Sequence, residues 1–130
     1  MCFLIYSCKS YSQDLSLDVK NYYGTWQLQT RDNQDELKPT DYYYIFNTDG
    51  TLIKKHIGDE DVLYTFKIDK KEDPIHKGTF YSTLLIIDND DISDIDRYTP
   101  DLVFVDSDNK FYLHLEYQGN FKNSTYIKIK

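Results

Sequence analysis

The chain has 130 residues and a formal net charge of -7, with 40% hydrophobic and 28% charged residues. This length suits one domain, and the composition is typical of a folded protein rather than a disordered one. The negative charge repels phosphate backbones and anionic lipid headgroups, so it argues against nucleic-acid binding. Alanine is absent, and the chain contains 13 Tyr and 7 Phe, which favours β-strands over helices.

The first ten residues, MCFLIYSCKS, contain both cysteines of the chain, Cys2 and Cys8. Two cysteines at one end provide neither a disulfide framework nor a cysteine-based zinc site for a domain. The apolar run at residues 2–6 is too short to span a bilayer. It also lacks the basic residues and the length of a complete secretory signal.

The stretch Ile5-Tyr6-Ser7-Cys8 resembles the lipobox of bacterial lipoproteins, in which a small residue directly precedes the lipidated cysteine. The resemblance implies a lipid anchor at Cys8 and a location in the cell envelope, at the periplasmic or outer-membrane face; without the anchor the protein would be secreted. Residues 1–21 are then a signal remnant with its lipobox and a tether, and residues 22–130 are the domain. The alternative is an apolar N-terminal segment that packs on the domain or frays.

Eight runs of strand-forming residues follow at short spacing. The first four predicted strands are residues 24–30, 41–47, 51–57 and 62–68. Asp49-Gly50, between the second and third runs, is a strong hairpin signal. In the fourth run, Tyr64 and Phe66 alternate with Thr65 and Lys67, as in a strand with one buried face.

The last four predicted strands are residues 79–87, 102–106, 110–117 and 125–130. The run at 79–87 is apolar on both faces, which indicates a strand that is central or covered on both sides. Residues 88–100, DNDDISDIDRYTP, are predicted to be a long polar connection. Residues 110–117 alternate well, with Leu113 and Leu115 on one face and His114 on the other.

Strands joined mostly by short loops, with no convincing helical run, predict an all-β fold. The specific prediction is an eight-stranded antiparallel up-and-down barrel. Closed on itself, such a barrel has room inside for side chains or for one small ligand.

The stretch GTWQL, residues 24–28, resembles the opening strand of bacterial lipocalin-like lipoproteins in the calycin group, and residues 44–52 are similar to their second hairpin. The resemblance implies a lipocalin-like barrel in which Gly24 permits tight chain entry and Trp26 plugs the closed end. In that family a basic residue near the last strand covers the tryptophan, and here Lys128 or Lys130 stands in that place. The family's Thr-Asp-Tyr motif between later strands is absent.

The resemblance further implies a non-catalytic protein that binds a small apolar ligand inside the barrel and meets the membrane only through a lipid anchor. Such binding depends on apolar burial with few polar anchors. The predicted cavity residues are Trp26, Leu28, Tyr64, Phe66, Leu113 and Leu115. The alternative is a protein-binding module, an inhibitor or immunity-type protein. Its interior would be filled by side chains, and its acidic loops and tyrosine-rich strand would form its surface.

Other candidate sites favour no enzyme, cofactor or metal. The loop that starts at Asp88 is rich in carboxylates, but Ser93 stands where an EF-hand needs glycine, and Thr99 where it needs glutamate; a solvated acidic loop is the preferred interpretation. His56 and His114 are predicted to face solvent. The chain has no nucleophile elbow, phosphate loop or His-Glu-x-x-His motif.

Overall fold

The computed structural model describes residues 15–88, 95–118 and 123–130. A 3₁₀ turn at Val19–Asn21 precedes eight strands: β1 (Gly24–Arg31), β2 (Leu37–Phe46), β3 (Thr51–His56), β4 (Val62–Glu72), β5 (Phe80–Asp88), β6 (Ile95–Val105), β7 (Lys110–Tyr117) and β8 (Asn123–Lys128). Each strand pairs antiparallel with the next, and β8 pairs with β1, so the sheet is closed. The predicted all-β, eight-stranded antiparallel barrel is therefore confirmed.

The two ends of the barrel differ in what covers them. We call the end where β1 begins and β8 ends the floor, and the opposite end, where β3 ends and β4 begins, the mouth. The buried core lies inside the barrel. It comprises Tyr22, Trp26, Tyr44, Phe46, Leu52, Phe66, Leu84, Ile86, Leu102, Leu113, Leu115 and Tyr126. Removing each such side chain from water contributes about 1.5–3 kcal/mol.

Three strands are longer than their sequence predicts. β2 begins at Leu37 and β4 continues to Glu72, both within stretches predicted to be polar loops. β6 begins at Ile95, inside the predicted polar connection. In that added part Arg97 and Thr99 are exposed and alternate with less exposed neighbours, so the polar residues lie on the outer face of the barrel. The bounds of β7 are those predicted.

The seam between β5 and β6 is short. Described pairs run only from Leu84 opposite Tyr98 to Ile87 opposite Ile95. Nearer the floor, β5 pairs with β4 and β6 pairs with β7, but the two strands separate from each other. Pro100 lies in this unpaired part of β6, where a residue without an N–H group removes no ladder hydrogen bond.

The segment before β1 packs on the floor. Leu15 contacts the core cluster, and Ser16 is only 7% exposed. The Tyr22 hydroxyl donates a 2.8 Å hydrogen bond to the Ser16 carbonyl, and the Asn21 amide donates to the Leu15 carbonyl at 3.1 Å. Among the described residues, contacts with the barrel are made from Leu15 onward, within the stretch that the sequence assigns to the tether. The segment seals the barrel on the floor side.

Two features predicted from the sequence lie outside the described part of the chain. Cys8, with its predicted lipid anchor, and most of the acidic loop after Asp88 lie outside the described residues. Within the described ranges, no helix has the length and apolar character needed to cross a bilayer.

Candidate functional site

Gly24 occupies a position that no other residue fits. Its φ is +131°, a conformation that side chains disfavour, and a Cβ there would overlap the backbone carbonyl of Lys130. The same Cβ would come within 2.7 Å of Cε of Lys128. Glycine therefore lets the C-terminal end of the barrel close against the start of β1.

Trp26 lies directly above this closure and is fully buried. Its Nε1 donates a 2.7 Å hydrogen bond to the carbonyl of Tyr22. Lys128, its partner residue on β8, places its ammonium nitrogen 5.7 Å from the centre of the Trp26 ring. Burial lowers the pKa of Lys128 below its ordinary value. Trp26 thus fills the floor between the N-terminal segment and the last strand.

The six predicted cavity residues do not line one cavity. Four of them, Trp26, Phe66, Leu113 and Leu115, belong to the packed core, with exposures of 7% or less. The other two, Leu28 and Tyr64, line a pocket of about 390 Å³ that opens at the mouth. The aliphatic and aromatic residues of its walls are Leu28, Tyr42, Tyr43, Tyr44, Val62, Tyr64 and Tyr126. Leu28 and Tyr64 therefore border the mouth pocket, whereas the other four lie in the packed core.

Strand register explains why these side chains face inward. Phe46 and Leu52 are buried partners on β2 and β3, and alternate residues on each strand share their face. Two positions along, Tyr44 pairs with Lys54, which in turn pairs with Val62 of β4. The inner row thus changes from hydrophobic core to tyrosine and lysine as it approaches the mouth.

Stacked rings form the pocket walls. Tyr44 and Tyr126 stack with ring centres 5.0 Å apart and planes 15° from parallel. At the rim, Tyr42 stacks on the His56 ring at 4.0 Å. Burial raises the pKa of Tyr44 far above the ordinary tyrosine value and that of Tyr126 to about 12. Both phenols are therefore neutral across the physiological range.

Lys54 is the cation nearest the middle of the pocket wall. Its ammonium nitrogen lies 5.7 Å from the Tyr44 ring centre and 5.5 Å from the Tyr64 ring centre. These distances are within the range of cation–π attraction. Lys54 forms no ion pair with a carboxylate in the part of the chain that the structure describes, whereas Lys55 pairs with Asp61 at 3.5 Å.

His56 and His114 lie on different faces of the barrel, and only His56 departs from the prediction that both face solvent. His56 does not simply face solvent, because it belongs to the inner row at the mouth and its Nδ1 lies 2.6 Å from a carboxylate oxygen of Asp59. His114 lies on the outer face, with Nδ1 3.0 Å from the Thr125 hydroxyl. Among the described residues, no group of three or more His, Cys, Asp or Glu is placed to hold a metal ion.

A second hollow measures about 600 Å³ and is lined by residues of β1, β2, β6, β7 and β8. Nine of its ten lining residues are polar, among them Asp101, His114 and Glu116, and Leu37 is the apolar one. Ligand sites are mostly apolar with a few placed polar groups, which is the description of the mouth pocket and not of this groove.

Sequence reasoning missed Lys54. The signal was present in the alternation of Leu52, Lys54 and His56 against Ile53 and Lys55. Both sets contain an aliphatic residue followed by charge, so the period alone does not say which set faces the interior. Register with Phe46 decides it.

The chain matches no protein-family model, and no curated protein matches it.

Proposed function

We propose that this protein is a non-catalytic, lipocalin-like binding protein that holds a small ligand with a large apolar part at the mouth of its barrel. The observation that carries the proposal is the pocket of about 390 Å³ lined by inward-facing tyrosines. Its size is within the usual range for small-molecule sites, about 300–1,000 Å³. The proposed site includes Leu28 and Tyr64 from the cavity residues predicted from the sequence, and it lies at the mouth.

The chemistry of the walls supports this function. Tyrosine rings provide broad contact area and lose little rotamer freedom when a ligand binds. Tyr44 is already held by its stack on Tyr126, and Tyr42 by its stack on His56. Each Å² of apolar ligand surface buried there contributes about 25 cal/mol. An apolar ring system that slides between these walls meets preorganised surfaces.

A blocking variant tests the site. Val62 lines the pocket and is 47% exposed, so Val62→Trp fills the mouth without overpacking the core. The control is Leu63→Trp, because Leu63 is 49% exposed and points outward from the next position. The probe is phenylnaphthylamine, a neutral dye whose emission rises in apolar surroundings. We expect wild type and Leu63→Trp to bind it and Val62→Trp to lose at least about tenfold in affinity. Equal binding by all three proteins contradicts the site.

Native mass spectrometry of the full chain purified from its own host provides the ligand itself. We expect a small-molecule adduct that Val62→Trp loses and Leu63→Trp retains. Repeated absence of any adduct, together with no dye binding, contradicts the function.

We propose further, from the lipobox resemblance, that Cys8 is lipidated and anchors the barrel to the cell envelope. The support is the sequence Ile5-Tyr6-Ser7-Cys8 alone. The test is the intact mass of the protein from a bacterial host, with and without globomycin. A diacylated mass beginning at Cys8 supports the anchor, and a chain that retains residues before Cys8 under both conditions contradicts it.

A second candidate function, a protein-binding module, is favoured by apolar side chains at the floor end. Phe80 and Tyr81 at the start of β5 are each 46% exposed, and Ile75 in the preceding loop is 82% exposed. Clustered exposed apolar residues are typical of interaction surfaces. If a partner binds there, Tyr81→Glu should abolish its co-purification from the host, while Val62→Trp should not. The reverse result favours the mouth.

A further inference from the structure

The charged residues around the mouth pocket differ in whether they form ion pairs. Lys55 is paired with Asp61, and His56 lies within 2.6 Å of Asp59. Glu60, the other carboxylate that lines the pocket, is exposed in the loop between β3 and β4. Lys54 alone among the three basic residues of this wall forms no ion pair with the described residues. Within the described ranges, the inner wall therefore presents one cation, Lys54, that has no ion-pair partner.

The composition of the chain makes this pairing pattern informative. Acidic residues outnumber basic ones, 22 to 15, so carboxylates are abundant around any lysine. Four other lysines in the described part of the chain form ion pairs with nearby carboxylates: Lys20, Lys38, Lys55 and Lys71. Lys54 instead lies over two tyrosine rings.

The position of Lys54 fixes the shape of what it can bind. Its ammonium lies over the faces of Tyr44 and Tyr64, at 5.7 and 5.5 Å from the ring centres. An anion that meets this ammonium from within the pocket extends its body along the same rings. Flat apolar groups make the largest contact with such walls, because aromatic pairs prefer offset-stacked or edge-to-face packing. The neighbouring phenols are neutral, so they do not repel an anion.

We infer that the ligand of the mouth pocket is an anion with a planar apolar body, such as an aromatic carboxylate or sulfonate, and that Lys54 pairs with its charge. This inference rests on the proposed function at the mouth. Charge-assisted hydrogen bonds are about twice as strong as neutral ones, and a cation already held over aromatic rings is partly ordered before the ligand arrives.

Two dyes with one ring skeleton test the inference. Anilinonaphthalene sulfonate carries a negative charge, and phenylnaphthylamine has the same rings without it. We expect wild-type protein to bind the sulfonate about tenfold more tightly at low ionic strength, and salt to weaken only the sulfonate. Lys54→Met should abolish the preference, and Lys54→Arg should retain it. Lys67→Met, which removes an exposed outward lysine of β4, is the control and should behave as wild type.

The results of these dye-binding experiments distinguish failure of this inference from failure of the proposed function. If both dyes bind equally and Lys54→Met changes neither, the pocket is a binding site but the anion preference is overturned. Tighter binding of the neutral dye also overturns it. If neither dye binds, this inference is overturned, and the proposed function falls with it when native mass spectrometry also shows no adduct. Where the wild-type protein binds a dye, loss of that binding in Val62→Trp places the bound dye at the mouth.

Discussion

The ammonium of Lys128 lies 5.7 Å from the centre of the Trp26 ring, across the pairing that joins the last strand to the first. The same ammonium is 5.5 Å from the Phe111 ring on β7. A basic residue of the last strand therefore covers the tryptophan. The methylene groups of Lys128 also pack beside Gly24, so both the charge and the chain contribute to the floor.

Substitutions at Lys128 separate these two contributions. Lys128→Met keeps an unbranched apolar chain and removes the charge, so it should lower the free energy of unfolding by about 0.5–1 kcal/mol. Lys128→Ala also removes the chain over Trp26 and should lower it by about 1–2 kcal/mol. Urea denaturation followed by circular dichroism measures both. Wild-type stability in both variants would show that the cover contributes nothing.

Gly24→Ala should be among the most destabilising single-methyl additions in the protein. The new Cβ combines a positive φ with overlap on the Lys130 carbonyl, which accepts a hydrogen bond from the Thr25 N–H, so we expect a loss of at least about 3 kcal/mol. Gly58→Ala is the matched control, because Gly58 also has a positive φ, +96°, but nothing lies within 4 Å of its Cβ position. It should lose only about 1 kcal/mol. Equal losses would mean that the floor closure relaxes without strain.

The N-terminal segment should count as part of the fold from Leu15 onward. Removing residues 1–14 leaves the Tyr22–Ser16 hydrogen bond intact, so the free energy of unfolding should stay within about 0.5 kcal/mol of wild type. Removing residues 1–17 exposes Tyr22 and part of the core, and should lower it by about 2–3 kcal/mol. Thermal denaturation of the two truncations decides. Equal stability of the two truncated proteins would support the predicted boundary, in which the tether extends to residue 21.

Buried tyrosines should make the protein unfold in alkali. Burial raises the folded-state pKa values of Tyr22, Tyr44 and Tyr126, the last to about 12. Their contribution to stability is complete below the unfolded pKa of about 10 and is lost as the pH rises toward the folded values. Each should reduce stability by as much as about 1.4 kcal/mol per pH unit in that window. Urea titrations from pH 8 to 12, with tyrosinate absorbance, measure the slope.

Tyr126→Phe keeps the ring and removes the ionising group. It should flatten that slope by the contribution of one tyrosine, whereas Tyr81→Phe, at an exposed position, should leave it unchanged. Tyrosinate absorbance that reaches its full value before unfolding would contradict burial of these phenols.

The sequence was most informative where one face of a strand is apolar and the other polar. β7 was predicted with its observed bounds because Leu113 and Leu115 alternate with His114. β6 was predicted seven residues short at its start, since Pro100 and charged neighbours suggest a loop. The separation of β5 from β6 tolerates that proline, and this separation is a property of the closed sheet that no local pattern contains.

The candidate site was less predictable than the fold. Tyr64 and Leu28 were placed correctly on the inner face, but whether an inner residue lines a hollow or fills the core depends on its height along the barrel. Phe66 is packed while Tyr64, two residues earlier, reaches the mouth pocket. The height of a residue along the barrel depends on strand stagger, and the N-terminal segment covers the floor end. Both are set by contacts between residues distant in sequence.

Closure at the floor also sets an order of events during synthesis. Thr25 donates its backbone N–H to the Lys130 carbonyl and accepts from the N–H of Ile129. Lys128, which covers Trp26, is made about 100 residues later than the tryptophan. Until then β1 is a free strand edge with an uncovered indole at its base, able to pair with other chains. The growing chain therefore remains prone to aggregate through this edge until β8 is made. A pause in translation before β8 should raise aggregation.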